Sequence, residues 1–239
     1  MTYSLCHRII ICIPKGSKDR SLMKNWRPIT LLSVIYKLAS GAIANRLKAT
    51  LSSIISNTQT GFVSGRTISE NTRLIYNLMD ITEKKNITGL LMLIDFEKVF
   101  DSISWTFLYN TLKFFGYCNN FINWIRLFNT DIKAYILQSG YLSKEISIER
   151  GCRQGDPISP YLFLLGAEIL AILIKSNPQI IGIIIDNIEF KLTQFADDTT
   201  IMLDGTNSSL LAALNTLEIF GNFSGLKMNK EKNKNFMDW

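Results

Sequence analysis

Two adjacent carboxylates, Asp197 and Asp198, stand between the apolar runs Ile188–Leu192 and Thr199–Leu203. Both runs carry β-branched residues and read as strands, so Phe195-Ala196-Asp197-Asp198 reads as a hairpin turn. Neighbouring anions repel, and a turn has no structural need for both. A divalent cation would remove the repulsion and give each a role; a solvated acidic turn is the plain alternative. A third acid, Asp95, ends the continuous apolar run Gly89–Ile94, which fits a strand buried on both faces. A carboxylate there is costly unless paired or ligated. If these strands share one sheet, the three acids meet at one edge. That suits two Mg²⁺ ions, which take hard oxygen ligands and leave positions for substrate phosphates. Two such ions about 3.5–4 Å apart can activate a hydroxyl nucleophile and stabilise a leaving pyrophosphate.

The remaining chain supplies elements to hold such a centre. Ile9–Ile13 is a short strand run, followed by a basic loop with Lys15, Lys18, Arg20, Lys24 and Arg27. That loop either holds phosphates or is simply solvated. Leu31–Ile55 and Ile68–Glu83 have apolar residues at helical spacing. Between them, Gln59–Arg66 is a loop whose glycines permit a tight backbone and whose Arg66 could reach a phosphate. Ser102–Gly116 and Asn119–Thr130 read as helices, with Trp105, Phe107, Leu108, Leu112, Phe115, Ile122, Ile125 and Leu127 as core. Ile132–Gln138 and Gly140–Ile148 read as a strand pair. The Gly/Pro-punctuated segment Arg150–Pro160 leads into an apolar helix, Tyr161–Ser176, with Ser159 as its cap and Pro160 in its first turn. A helix N-terminus beside Arg150, Arg153 and Gln154 suits an anion or a nucleotide. Gly182–Asp186 and Glu189–Gln194 pair around Asp186-Asn187, and Leu210–Phe223 is the last helix.

Composition narrows the function classes. The 239 residues are 47% apolar and carry a net charge of +6, which favours a polyanionic partner. Lysines thicken near the end, at Lys227, Lys230, Lys232 and Lys234. The four cysteines are widely spaced without a CxxC pair, and His7 is the only histidine, which argues against a Cys/His zinc site and a disulfide framework. The apolar stretch Tyr161–Ile174 is interrupted by Gly166 and Glu168 and is too short to span a bilayer. No secretory signal pattern is evident. The expectation is a soluble intracellular protein without membrane contact; nucleus and cytoplasm are not distinguished, and the oligomeric state is unknown.

Six strings, in order, carry a resemblance: IPKGSKDRSLMKNWRPITLLSVIYKLASGAIANRL, QTGFVSGR, LIDFEKVFDSISW, RGCRQGDPISPYLF, FADDTTIML and FSGLKMNKEK. Together they resemble the reverse transcriptase domain of non-LTR (LINE-type) retrotransposons. The resemblance implies an α+β right-hand polymerase, mainly fingers over about residues 1–88 and mainly palm over about 89–239. The palm would be an antiparallel sheet flanked by helices, and the thumb, endonuclease and Cys/His-rich regions are missing. It implies RNA-directed DNA synthesis with an RNA template, a DNA primer, dNTP and two Mg²⁺ ions, for which Mn²⁺ can substitute.

By the same resemblance Asp95, Asp197 and Asp198 are the metal-binding catalytic acids. Phe100 is an aromatic gate under the incoming sugar, with a core role as the alternative. Gln154 and Gly155 pack on the incoming nucleotide; Arg27 and Lys15 hold the triphosphate; Lys232 protonates pyrophosphate. Gly61, Phe62 and Arg66 face the template, and Asp101 is structural. Val99 departs from the alanine usual before the gate. A non-catalytic nucleic-acid-binding remnant is the alternative function, and an RNA-dependent RNA polymerase, which Phe100 suits less well, is the nearest enzymatic mimic.

Overall fold

The computed structural model describes residues 7–229 and 236–238; Lys232 and its neighbours lie outside the described residues. The first β-branched run forms β1 (His7–Pro14), and Trp26–Leu31 returns antiparallel to it as β2, with Cys12 opposite Pro28 and Ile13 opposite Arg27. The sequence suggests loop at Trp26–Ile29 and helix from Leu31, so both expectations shift here. Pro28 cannot donate to a ladder, but β2 is an edge strand, where proline is tolerated. Helix α1 (Val34–Ile54) starts where the Ser33 hydroxyl accepts the Tyr36 N–H at 3.2 Å. Helix α2 (Ile68–Lys85) opens with a Thr67/Glu70 capping box and closes at Asn86 in the left-handed conformation.

The apolar run becomes β3 (Leu90–Ile94), buried except at Leu93, which is exposed, so the strand is not covered on both faces along its whole length. Three helices follow: α3 (Val99–Ser102), α4 (Trp105–Phe114) and α5 (Asn119–Phe128). Strand β4 (Lys133–Gln138) runs parallel to β1, and the short β5 (Tyr141–Leu142) and β6 (Ile146–Ser147) both pair with β4. Next come α6 (Ser159–Ser176) and the hairpin of β7 (Ile183–Ile185) and β8 (Ile188–Phe190). Its turn residues Asp186 and Asn187 both have positive φ, 50° and 66°, as a type I′ turn requires. The strand expected over Glu189–Gln194 is divided: β8 ends at Phe190, and β9 (Leu192–Phe195) belongs to another sheet. Strand β10 (Asp198–Leu203), helix α7 (Asn207–Ser224) and β11 (Phe236–Asp238) complete the described chain.

The topology is mixed α/β. One sheet has the order β2-β1-β4-β5 with β6 also on β4; the other is wholly antiparallel, β11-β3-β10-β9. β1 and β4 lie on opposite sides of residue 88 and are hydrogen-bonded neighbours.

Helix α6 is the centre of the core. Phe163, Leu164, Leu165, Leu170, Ala171 and Ile174 are buried in one cluster with Leu47, Leu108, Leu112 and Leu217. With 18 residues it is longer than the sequence suggests, and by length and composition it could cross a membrane. Its apolarity is explained by this packing, since most of it is buried inside the protein. Its first residue is Ser159, and Ile158 occupies the N-cap position, so Ser159 is not the cap. Two apolar expectations fail at the surface. Leu127 is exposed on α5, and the first turns of α1 expose Val34, Ile35 and Leu38, while Ile43, Leu47 and Leu51 further along are buried.

Candidate active site

The pair Asp197-Asp198 lies where β9 turns into β10. Asp198 pairs with Phe195, which leaves Ala196 and Asp197 as the two loop residues. Of these only Ala196 has positive φ, 55°, the signature of a type II′ hairpin turn, in which glycine is the usual occupant. Strand β10 pairs on its other side with β3, Thr199 opposite Ile94. Asp95 and Asp198 are the next residues of the two segments at that end, so both acids lie at one edge of the sheet. Like charges brought close repel, and a divalent cation between them would offset that repulsion. Asp95 and Asp197 are half-buried and Asp198 is exposed.

Asp95 is also held from the far side. The Asn229 amide Nδ2 donates to its Oδ2 at 3.1 Å, and the Asn229 N–H donates to its carbonyl at 2.9 Å. Residues Lys227–Asn229 run alongside Asp95–Glu97, with Phe96 bridged to Met228. The donor set is three hard-oxygen carboxylates, the chemistry Mg²⁺ and Mn²⁺ prefer. Among the described residues no three acid, His or Cys side chains are already gathered into a metal cluster. The side chains of the three aspartates would therefore have to converge on an ion.

A cavity of about 420 Å³ opens between the first sheet and the loop before α6, lined by Thr30, Phe100, Asp101, Arg150 and Gln154 among others. Phe100, in α3, is half-buried with its ring 5.4 Å from that of Phe163, so it both packs and presents a face to the cavity. Asp101 sits in the cavity wall. The loop is fixed from two sides. The Gly151 N–H donates to the Ile103 carbonyl at 2.8 Å, and the Trp105 indole N–H donates to the Gly151 carbonyl at 2.8 Å.

Arg153 also borders the cavity, but its guanidinium is bonded inside the chain. It donates to the Tyr36 hydroxyl, the Phe128 carbonyl, Asn129 Oδ1 (3.2 Å) and Asp156 Oδ2 (3.2 Å). Asp156, buried, also accepts from Tyr36 (2.7 Å) and Ser40. Among the residues beside the start of α6, Arg150, Arg153 and Gln154 all line the cavity, and Arg153 also bolts the loop to α1 and α5. Gly155, at φ 99°, passes by the Thr30 carbonyl of β2.

The loop Gln59–Arg66 differs from its sequence reading. Gly61 packs directly against the acidic turn: a Cβ on it would stand 2.3 Å from the Ala196 nitrogen. The Arg66 guanidinium donates to the carbonyls of Ile55 (3.0 Å), Ser56 (2.6 Å) and Gln59 (2.6 Å), where α1 ends. Gly61 is engaged by its close approach to Ala196, and Arg66 because the last carbonyls of a helix have no helical partner and a cation satisfies them well. Phe62 is exposed at φ 55° and faces solvent. Lys15 and Arg27 are exposed at the loop end of the β1–β2 hairpin, where the Lys15 N–H donates to the Asn25 carbonyl at 2.8 Å.

Gln59 is absent from the site residues the sequence suggests. Its side chain is buried and bonded to Ala196. A polar residue heading a glycine loop is the only sequence signal for it, and its partner lies far along the chain. Asn229 was missed likewise, sitting within a Lys-rich string that reads as basic surface.

Solved structures of telomerase share this arrangement of elements. Apo telomerase from Candida tropicalis superposes with a TM-score of 0.64 at 13% identity, over 100% of this chain and 44% of that one. Telomerase from Candida albicans in complex with a telomeric RNA fragment gives 0.61 at 12% identity, over 98% of this chain and 41% of that one. A family model described as reverse transcriptase (RNA-dependent DNA polymerase) matches residues 13–238. The chain belongs to the reverse transcriptase family and is a domain of the type found in non-LTR, LINE-type retrotransposons.

It is 27% identical to a Xenopus laevis transposon TX1 149 kDa protein over 98% of this chain and 18% of that protein. It is 28% identical to a Pol polyprotein from the retrotransposable element R2 of Popillia japonica, over 92% of this chain and 30% of that protein. The chain thus spans between about a fifth and a third of the length of these curated relatives.

Proposed function

We propose that this domain is an RNA-directed DNA polymerase that joins dNTP to the 3′-hydroxyl of a DNA primer annealed to RNA. The observation that carries the reading is the pairing of β3 with β10, Ile94 opposite Thr199, which brings Asp95 and Asp198 to one sheet edge with Asp197 in the adjoining turn, in a chain of the reverse transcriptase family. The three carboxylates would hold Mg²⁺, or Mn²⁺ in its place. A divalent ion bound there supplies hydroxyl activation and neutralises charge on the phosphates. Asn229 orients the Asp95 carboxylate from behind. The Phe100 ring closes the cavity beneath the sugar, Gln154 and the Gly155 backbone border the base, and Arg27 and Lys15 offer charge to the triphosphate. Phe62 offers a stacking face to the template. Positioning and electrostatics then supply most of the rate.

In this reading the β1–β2–β4 sheet with α1 and α2 forms the fingers, and the antiparallel sheet with α6 and α7 forms the palm. The net charge of +6 supports backbone-led binding of primer-template that weakens with salt. The test is extension of a DNA primer on an RNA template with Mg²⁺, by the wild-type protein and by Asp197→Asn. Salt-dependent binding with no Mg²⁺-dependent extension would replace this reading by that of a nucleic-acid-binding remnant.

A further inference from the structure

The acidic turn is held by a side chain from the other end of the fold. Gln59 is 1% exposed, and three of the four hydrogen-bonding directions of its amide are used on the backbone of Ala196 and Gly61. Its Oε1 accepts the Ala196 N–H at 2.9 Å and the Gly61 N–H at 2.8 Å, and its Nε2 donates to the Ala196 carbonyl at 3.1 Å. The backbone around it is fixed as well. Gln194 donates its N–H to the Thr58 carbonyl at 2.7 Å, and its own carbonyl accepts the Thr60 N–H at 3.0 Å and the Asn71 amide at 2.7 Å. Residues Thr58–Thr60 therefore lie along β9 as a short parallel extension of the acid-bearing sheet. Gly61 meets Ala196 so closely that no side chain fits between them.

We propose that Gln59 is a positioning residue that locks the Ala196-Asp197 turn. Its function rests on the polymerase reading above, whereas the clamp itself is a property of the folded chain. Ala196 holds a left-handed conformation that L-residues rarely adopt. A hairpin turn at a sheet edge, with acids that repel, has reason to relax from it. Gln59 grips the N–H and C=O of that residue together, so neither of the two peptides flanking Ala196 can rotate without breaking a bond to it. Asp197 then meets an ion with its backbone already fixed, and the cost of ordering it does not fall on the reaction.

Two variants separate this from a packing role. Gln59→Leu removes all three bonds at similar volume; Gln59→Glu keeps the two acceptors for Ala196 and Gly61. Hydrogen exchange is read at the Ala196 amide, with Ile201 and Met202 as internal controls. In Gln59→Leu the Ala196 amide exchanges about tenfold faster while the controls are unchanged; in Gln59→Glu it stays protected. In primer extension, Gln59→Leu lowers kcat about tenfold and leaves the KM for dNTP within about twofold. Wild-type protection of Ala196 in Gln59→Leu, or a wild-type kcat in that folded variant, overturns the proposal. Should Gln59→Leu not fold, Gln59→Glu decides alone: a protected Ala196 amide supports the clamp, and one exchanging like an exposed amide overturns it. A wild-type protein that extends no primer counts against the polymerase reading, and the exchange measurement, which needs no substrate, still decides the clamp.

Discussion

Gly151 lies directly under the Phe100 carbonyl: a Cβ on it would stand 2.9 Å from that oxygen and 2.9 Å from the carbonyl of Asp101. Its φ of 94° is also one that other residues rarely adopt. Gly151→Ala should therefore cost about 2–4 kcal/mol, from strain and from parting the loop from α3. Urea unfolding monitored by circular dichroism measures it. A loss below about 0.5 kcal/mol would mean that the loop gives way without penalty.

Asp197→Asn keeps the volume of the turn and removes a charge. Extension should fall about a thousandfold, while primer-template affinity changes little because that binding comes from basic residues elsewhere. Steady-state extension and a filter-binding salt titration give the two quantities. Equal extension by both proteins would end the metal assignment of this acid.

Phe100→Val tests whether the ring is a gate or only core. Removing a ring that faces the cavity should raise incorporation of ribonucleotide relative to deoxynucleotide about tenfold or more. Its contact with Phe163 is lost at the same time, so a stability loss of about 1–2 kcal/mol accompanies it. An unchanged incorporation ratio in the folded variant would assign the ring to packing alone.

Arg66→Lys separates structure from template contact. A lysine ammonium cannot span the carbonyls of Ile55, Ser56 and Gln59 with a fixed fork. The expected result is a stability loss of about 2 kcal/mol with template affinity nearly unchanged. A variant of wild-type stability with weakened template binding would restore the template-facing role.

The carboxyl of Glu168 is raised, first by burial within α6 and only partly offset by hydrogen bonds from Ser56 and the charges of Lys175 and Arg66. A raised folded-state value means that the native protein holds this proton more tightly than the unfolded chain does. Its contribution is most favourable below the ordinary carboxyl value of 4.5 and is lost as pH rises through the raised one. Glu168→Gln lacks that loss, so its stability relative to wild type should grow across that window and then level off. Parallel melting curves of the two proteins between pH 4 and pH 8 measure the difference; a constant offset would refute the assignment.

What the sequence made legible follows from how local each signal is. The apolar run ending at Asp95 and the β-branched run after Asp198 are local patterns, and both strands form, side by side. The β-strand at Trp26–Leu31 was hidden by Pro28 and Arg27, which read as loop until the edge position of the strand is known. The exposed Val34, Ile35 and Leu38 have the same helical spacing as the buried Ile43 and Leu47; periodicity marks a face without saying which turns of it are covered. Arg66 reads as a phosphate ligand because a cation in a glycine loop looks alike whether it faces solvent or a helix end. Gln59 was beyond reach for a stronger reason: its partner is a backbone unit, and no side-chain pattern marks a backbone unit that needs holding.

The parallel pairing of β1 with β4 has a consequence for how the chain acquires its shape. His7 meets Lys133 only after α1, α2, β3 and three further helices have been made and folded back. During synthesis the β1–β2 hairpin must wait with an unpaired inner edge, open to pairing with other chains. Closing so long a loop makes this pairing a non-local contact, the kind that slows folding. Chaperone dependence and aggregation during expression should therefore track the β1 edge rather than the acidic turn.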